Sequence, residues 1–311
     1  MNIQVARPAG SPFPEASLRF SPERFVLPEA TVAVPTAGQR RLKSQLRPDL
    51  IAAALFLLLL TLAAIHPALL TSIDPQAADA NDAFLAPGAA HWLGTDENGR
   101  DVLARLIYGV RASLVMGICA TVIGVGAGIA IGLAAGLGGR FADGVAMRLI
   151  DVLVAFPELL LALAIITFWG PGLSNAIVAV GVASIPRYAR LARAQSRLVR
   201  NAGYVEAATT LGLRPLTLIW RHVLPNSIKP VLVLATIGVG QVIAAGAALS
   251  FLGFGAPPPA PEWGSMLSVG RNYLANTVWL VIAPGAAVTL TVLAVTTIGR
   301  ELVARSEGLR R

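Results

Sequence analysis

Six long apolar stretches constrain this chain more than any other feature of its sequence. They occupy residues 50–70, 112–137, 152–169, 173–185, 231–254 and 278–298. Most reach or approach the ~20 residues that a helix needs to cross a hydrocarbon core of ~30 Å. Only 14% of the residues are charged, against roughly 25% in soluble domains. The sequence therefore predicts an all-α, polytopic membrane protein with six transmembrane helices.

The fourth stretch, residues 173–185, is the shortest and leaves an alternative open. It spans a bilayer only if residues 186–189 extend it, and a re-entrant segment is the other interpretation. The turn signal Gly170-Pro171-Gly172 precedes it, which favours two helices joined outside the membrane.

The distribution of basic residues predicts the orientation. With the N-terminus in the cytoplasm, 21 of the 25 Lys and Arg residues fall in cytoplasmic segments, and Arg100, Arg105, Arg111 and Arg271 fall outside. Cytoplasmic loops of membrane proteins carry an excess of Lys and Arg, so both termini are predicted to be cytoplasmic. The net charge of +8 then follows from topology and anionic lipid headgroups, without any need for nucleic acid.

These spans divide the chain into five predicted parts. The first has seven prolines and no early apolar core, which predicts a disordered tail rather than an export signal. The first span then acts as an uncleaved anchor. The parts are a disordered cytoplasmic tail (1–48), a first transmembrane helix (49–72), an extracytoplasmic loop (73–111), a core of five transmembrane helices with a cytoplasmic loop at 204–226 (112–300), and a cytoplasmic tail (301–311).

The cytoplasmic loop is predicted to contain two helices joined by a glycine. Residues 204–211 are Ala-rich, with Glu206 near their start, where the helix dipole favours an acid. Gly212 is a predicted left-handed stop. Pro215 suits the first turn of a second helix, which is predicted to end at Leu224-Pro225. Arginines could hold this pair of helices to headgroups, or the pair could dock a cytoplasmic partner, and the residues alone favour neither.

The first extracytoplasmic loop combines acids and arginines around Asp96, Arg100 and Asp101. Asp101 is predicted to pair with Arg105, because residues four apart share one helix face. The group is either a structural cluster or a contact for a delivery protein or a substrate.

The second extracytoplasmic loop has four prolines between positions 257 and 261, followed by Trp263. A tryptophan at this place suits the membrane–water interface. Pro258 and Trp263 are therefore candidates either for simple anchoring or for a stiff lip around an outer entrance.

Two acids in the third span, Asp151 and Glu158, are candidate pathway residues. Seven residues apart on one helix, they would share a face, and Arg148 is predicted to neutralise Asp151. An acid inside a span is by default a functional candidate, although Glu158 would lie near the inner boundary if its helix started late.

Glycines at four-residue spacing mark the second span. Gly128, Gly132 and Gly136 present a small surface that lets a neighbouring helix approach closely. The same interpretation covers Gly124 and Gly126 of this span and Gly238, Gly240 and Gly246 of the fifth span. They predict helix packing.

Several kinds of chemistry are not encoded. The two lysines, Lys43 and Lys229, are not preceded by glycine, so the chain has no phosphate-binding loop of the Gly-Lys-Ser type. Three scattered histidines and Cys119 give no metal-ligand spacing, and no nucleophile with a base and an orienting acid can be assembled. Energy must then come from another polypeptide, and an enzymatic function has no support.

The cytoplasmic loop resembles the EAA loop of ABC importer permeases. Glu206-Ala207-Ala208, Gly212 four residues later, and Leu224-Pro225 match its pattern. His222 departs from the general pattern but fits the version of the peptide and nickel branch. The C-type permeases of that branch are also similar in two outer segments, which read "LGTDENGRDVLARLIYGVRASL" and "LSFLGFGAPPPAPEWGSML".

This resemblance implies a type I ABC importer permease in a bacterial inner membrane. It would translocate di- or oligopeptides together with a homologous second permease, two cytoplasmic ATPase subunits that use ATP and Mg, and a solute-binding protein. The chain itself would bind no cofactor. The residues that the resemblance and the loop pattern assign to ATPase docking are Glu206, Ala207, Ala208, Gly212, Arg214, Leu224 and Pro225.

Two alternatives remain. The importer could carry nickel or another small solute. In a different class, an ion-gradient-driven secondary transporter could work through Asp151 and Glu158, without any partner ATPase.

Overall fold

The computed structural model describes residues 48–306. Within this range the chain is helical, apart from loops and one isolated bridge between Thr95 and Asp101. The predicted N-terminal tail lies outside the described residues except for Pro48, which begins the first helix. The last five residues of the predicted C-terminal tail also lie outside them.

Ten α-helices are present in residues 48–306. They are α1 (Pro48–Ile65), α2 (Val102–Leu137), α3 (Arg140–Val154), α4 (Glu158–Trp169), α5 (Leu173–Arg200), α6 (Gly203–Thr210), α7 (Pro215–Leu218), α8 (Leu224–Leu249), α9 (Trp263–Gly270) and α10 (Trp279–Ser306). Two π-helical turns, Ile219–Val223 and Ser250–Phe254, flank α8.

Four helical segments in the described range are long and apolar enough to cross a membrane. They are α1, α2, α10 and the continuous segment Pro215–Phe254. A fifth span results if α3 and α4 count as one broken span. The expectation of six spans is therefore met only in part. The remaining long helix, α5, runs on through Pro186 into an arginine-rich half, so its apolar part alone is short.

The third predicted span is not one helix. The chain bends by 91° between α3 and α4, because Pro157 cannot continue the hydrogen-bond ladder of α3 and acts as the N-cap of α4. The predicted shared helix face of Asp151 and Glu158 is consequently wrong, since the two acids lie on opposite sides of the bend.

The core of the bundle is α5, which packs against α2, α4 and α8. Gly128, Gly132 and Gly136 of α2 face it directly, as the sequence predicts. A Cβ added at Gly132 would lie 2.6 Å from the Ala192 Cβ and closer still to the Ala189 carbonyl oxygen. The two backbones can approach this closely only because glycine has no side chain.

The bundle has two ends. One, called the α6 end, joins the last turns of α2 and α5 to α6 through a buried cluster of Val199, Val205 and Val223. The other, called the α9 end, contains the loops before α2 and around α9. There the Trp279 Nε1 donates to the Thr95 carbonyl oxygen at 3.2 Å, and the Gly172 N–H donates to the Phe254 carbonyl oxygen at 3.3 Å.

Candidate functional site

At the α6 end, the short helix α6 closes on a glycine. Gly212 has a φ of +81°, and its N–H donates to the Thr209 carbonyl oxygen at 3.0 Å. The Leu213 N–H donates to the Ala208 carbonyl oxygen at 3.2 Å. This pair of bonds is the Schellman arrangement of a helix C-terminus, and it confirms the predicted glycine stop.

The segment around α6 presents one buried and one exposed side. Val205 is buried against Val199 and Val223, and this contact fixes α6 to the bundle. Glu206 and Ala207 are exposed, and Ala208 is half-buried. Arg214 is exposed and serves as the N-cap residue of α7 without a side-chain cap.

Large apolar side chains are also exposed in the segment around α6 and α7. Leu211 is 81% exposed and Trp220 is 68% exposed. Tyr204 and Leu216 are exposed as well. Several exposed apolar side chains within one short segment are typical of a contact with another protein or with lipid. The sequence alone could not separate the two sides, because the exposed Trp220 and the buried Val223 recur at the same helical spacing.

The predicted end of the second loop helix at Leu224-Pro225 is wrong. The chain passes from α7 through the π-helical turn Ile219–Val223 directly into α8. The Leu224 N–H donates to the Ile219 carbonyl oxygen five residues earlier, instead of four as in an α-helix. This wider turn accommodates Pro225 within the helical segment. The Asn226 Nδ2 donates to the His222 carbonyl oxygen at 2.8 Å, so a side chain satisfies an acceptor in the disturbed turn.

At the α9 end, Asp96 organises the loop before α2. Its carboxylate accepts from the N–H groups of Asn98 and Arg100 at 2.9 and 3.0 Å. It also lies 3.4 Å from the Arg105 Nε. Arg105 in turn donates to the carbonyl oxygens of Pro75 and Pro259. This buried ion pair therefore ties two parts of the connection between α1 and α2 to the proline loop before α9.

Asp101 does not pair with Arg105, so that prediction is wrong. The Asp101 carboxylate is the N-cap of α2 and accepts from the Ala104 N–H at 2.6 Å. Its other oxygen lies 2.9 Å from the His91 Nδ1. A residue at the N-cap points its carboxylate at the first turn's own N–H groups, which removes it from the face on which Arg105 lies.

A small pocket of about 100 Å³ opens between these loops, and it brings together three of the predicted outer residues, Asp96, Arg100 and Pro258. Glu97 also lines it, and burial raises the pKa of the Glu97 carboxyl. On acidification this carboxylate therefore takes up its proton at a higher pH than an ordinary surface glutamate.

Trp263 is not an interface anchor, so that interpretation is wrong. The side chain is 1% exposed and packs against Val102, Val110 and Leu280. Its Nε1 donates to the Leu106 carbonyl oxygen at 3.0 Å. The adjacent Glu262 caps α9 by accepting from two N–H groups, although its burial raises the pKa of its carboxyl. The proline loop thus returns into the fold instead of ending at lipid.

Replacement of Trp263 by phenylalanine is expected to lower the free energy of unfolding by about 1–3 kcal/mol, because the smaller ring leaves part of a buried site unfilled and removes the hydrogen bond to the Leu106 carbonyl oxygen. Thermal unfolding of the detergent-purified protein measures this change. Trp92, which is 74% exposed, provides the matched control: Trp92→Phe should change stability by less than about 0.5 kcal/mol. Equal effects of the two replacements would contradict the assigned role of Trp263.

The two acids beside the α3–α4 bend each bind an arginine of α5. Asp151 lies 2.8 Å from the Arg190 Nη2, and Glu158 lies 3.4 Å from the Arg187 Nη2. The predicted pairing of Asp151 with Arg148 is therefore wrong. The bend turns α3 towards α5, so Asp151 meets an arginine of α5 instead of Arg148. Sequence reasoning placed the arginines of α5 in a cytoplasmic loop, although they recur at helical spacing.

A third acid extends this arrangement towards the α6 end. The Asp143 carboxylate binds Arg193 and also lies 2.6 Å from the Arg197 Nη2. Together the acids of α3 and α4 and the arginines of α5 form a ladder of ion pairs along the side of α5 that faces the bend. Sequence reasoning found two of its acids but none of its pairs.

The chain matches a known family and named relatives. Residues 128–307 match the model of the binding-protein-dependent transport system inner membrane component. The chain is 38% identical over 238 residues to a dipeptide transport system permease protein of Alkalihalophilus pseudofirmus, covering 76% of this chain and 78% of that protein. It is 41% identical to a di/tripeptide transport system permease protein of Pseudomonas aeruginosa, covering 79% and 83%.

Two further comparisons agree. A glutathione transport system permease protein of Pectobacterium atrosepticum is 40% identical, with 80% of this chain and 83% of that protein covered. Among solved structures, a chain of an inward-facing methionine ABC transporter aligns with a TM-score of 0.55 and 20% identity, covering 67% and 98%. That likeness shows the fold. The resemblance of the loop and outer motifs is confirmed, and the chain belongs to the inner membrane components of binding-protein-dependent transport systems.

Proposed function

We propose that this chain is the transmembrane permease subunit of an ATP-driven importer for di- or oligopeptides. The observation that carries the substrate class is the 38–41% identity to relatives named for dipeptides, di/tripeptides and glutathione over at least three quarters of the chain. All three are short peptides or peptide-like molecules. The membrane is the bacterial inner membrane, the α6 end faces the cytoplasm together with both termini, and the α9 end faces outward.

The α6 end is the proposed docking surface for an ATPase subunit. Its exposed side combines a charge at Glu206, small residues at Ala207 and Ala208, and the apolar side chains of Leu211 and Leu216. Arg214 borders it, and Leu224-Pro225 carry the segment into α8. Interfaces typically combine an apolar centre with a polar rim. The complete importer then contains a second, homologous permease and two ATPase subunits, which hydrolyse ATP.

The α9 end is the proposed contact for a solute-binding protein. Asp96, Arg100 and Pro258 border one pocket there and would meet the delivered protein or its substrate. Asp101 and Trp263 are buried, so they would act by holding the contact loops in place. Asp151 and Glu158 are proposed to lie beside the substrate path as ion pairs with α5.

Reconstitution of this chain with its second permease and the ATPase subunits tests the function. Proteoliposomes are expected to accumulate radiolabelled dipeptide when the binding protein and ATP are present, and an uncoupler should not prevent it. Glu158→Gln is expected to lower the rate of uptake while leaving its ATP requirement unchanged. Uptake by this chain alone that an uncoupler abolishes would contradict the proposal, since an ion-gradient-driven carrier behaves in that way.

A further inference from the structure

A second, larger cleft lies at the α9 end, separate from the pocket around Asp96. Its volume is about 770 Å³, and it opens between the segment after α1, the outer half of α2 and the first residue of α5. Sites for small molecules typically measure roughly 300–1,000 Å³. The side chains that matter for its chemistry are Asp74, Gln76, Tyr108, Arg111, Leu173 and Pro261.

Arg111 differs from the other arginines of the α9 end. Arg100 and Arg105 lie beside Asp96, and the Arg271 guanidinium lies 4.9 Å from the centre of the Phe251 ring. Arg111 is exposed and lines the cleft. Among residues 48–306 it has neither an acidic partner nor an aromatic one. Its guanidinium is therefore available to an anion that enters the cleft.

A carboxylate without a cationic partner lines the same cleft. One oxygen of Asp74 accepts from the Gln76 N–H at 2.8 Å, which orients the carboxylate within a short turn. The residue is exposed and, in the described part of the chain, forms no ion pair with Arg111 or any other cation. The cleft thus holds one cation and one anion that do not neutralise each other, together with apolar lining from Val115 and Leu173.

We propose that this cleft is a subsite for the two termini of a short peptide. Arg111 binds the terminal carboxylate, because a guanidinium fork matches a carboxylate in two parallel hydrogen bonds. Asp74 binds the terminal ammonium group, and the apolar lining takes a side chain. The proposal rests on the proposed peptide import and adds that the permease itself recognises free termini, beyond any selection by the binding protein.

The test combines one substitution with one change in the substrate. Uptake by the complete importer is measured for a dipeptide with a free carboxylate and for its carboxamide, with wild type and with Arg111→Gln. The binding protein is the same in all four measurements, so its own preference cancels in the double ratio. We expect Arg111→Gln to raise the KM for the free acid about two- to fivefold and to leave the KM for the carboxamide unchanged.

The reciprocal pair uses Asp74→Asn with an N-acetylated dipeptide. Asp74→Asn is expected to raise the KM for the dipeptide with a free ammonium group and to leave the KM for the N-acetylated dipeptide unchanged. Its ratio of KM values for the free acid and the carboxamide should stay that of wild type. Arg111→Lys, which keeps the charge but not the fork, should give an intermediate KM. Arg271→Gln removes another arginine of the α9 end outside the cleft and should leave both ratios unchanged.

The outcomes separate this inference from the function on which it rests. Variants that alter the free and the capped peptide by the same factor, in complexes that assemble normally, would overturn the subsite while peptide import stands. A wild-type complex that takes up no peptide with ATP would instead remove the proposed function, and the subsite with it.

Discussion

Replacing Glu206 by arginine together with Gly212 by valine is expected to abolish co-purification of the ATPase subunits and ATP-dependent uptake. Gly212 has a φ of +81° with open space around it, so valine would not clash but would strain the backbone by about 1–2 kcal/mol. Relief of this strain turns the exposed side of α6 away from its partner. Reversal of the charge at Glu206 adds a mismatch at the interface.

A matched glycine separates this effect from a general disturbance of the loop. Gly203 begins α6, has open space around its Cα and has no positive φ. Gly203→Val therefore adds the same side chain without backbone strain and should leave ATPase binding largely intact. Normal co-purification and uptake by the Glu206→Arg, Gly212→Val protein would show that α6 is not the docking surface.

Replacing Gly132 by leucine is expected to cause a large loss of stability. The Cβ alone would lie 2.6 Å from the Ala192 Cβ and 2.9 Å from the Arg193 backbone nitrogen. Backbone atoms of α5 cannot move aside without separating α2 from α5. The cost should reach the upper end of the roughly 1–3 kcal/mol that is typical of overpacking. Thermal unfolding in detergent and the yield of monodisperse protein measure it.

Gly126 lies on the same helix and supplies the control. A Cβ at Gly126 would meet no atom within 4 Å, so the predicted packing role of this glycine is wrong, and Gly126→Leu adds the same volume at a position that faces away from α5. It should unfold at or above the wild-type temperature, because leucine also favours the helix more than glycine does. A similar loss in both variants would mean that the close contact between α2 and α5 does not determine stability.

What could be predicted from the sequence depends on local chemistry. The glycine stop at Gly212 follows from backbone preference alone, and the packing of Gly132 follows from its spacing along α2. The family itself was recognised from motifs whose spacing is short. These inferences need no knowledge of which distant residues meet.

The wrong predictions concern partners chosen by tertiary structure. Arg105 binds Asp96 rather than Asp101, because the Asp101 carboxylate caps the N-terminus of α2 and accepts from the Ala104 N–H instead. Asp151 binds Arg190 because a bend of 91° directs α3 to a helix that the sequence had divided into a span and a loop. Trp263 is apolar enough for a membrane interface or a core, and only the path of the proline loop decides between them.

The continuous helical segment from Pro215 to Phe254 has a mechanical consequence. It contains 40 residues, and the 26 residues of α8 alone correspond to roughly 39 Å at 1.5 Å per residue. One end borders α6, and the other leads into the loop before α9. A hinge at Leu224-Pro225 would have dissipated a push on α7 inside the loop. Because no break separates α7 from α8, a displacement of α7 is expected to move the start of α8 with it, and the interruption of helical geometry at Gly253, with a φ of +95°, lies only at the opposite end of the segment.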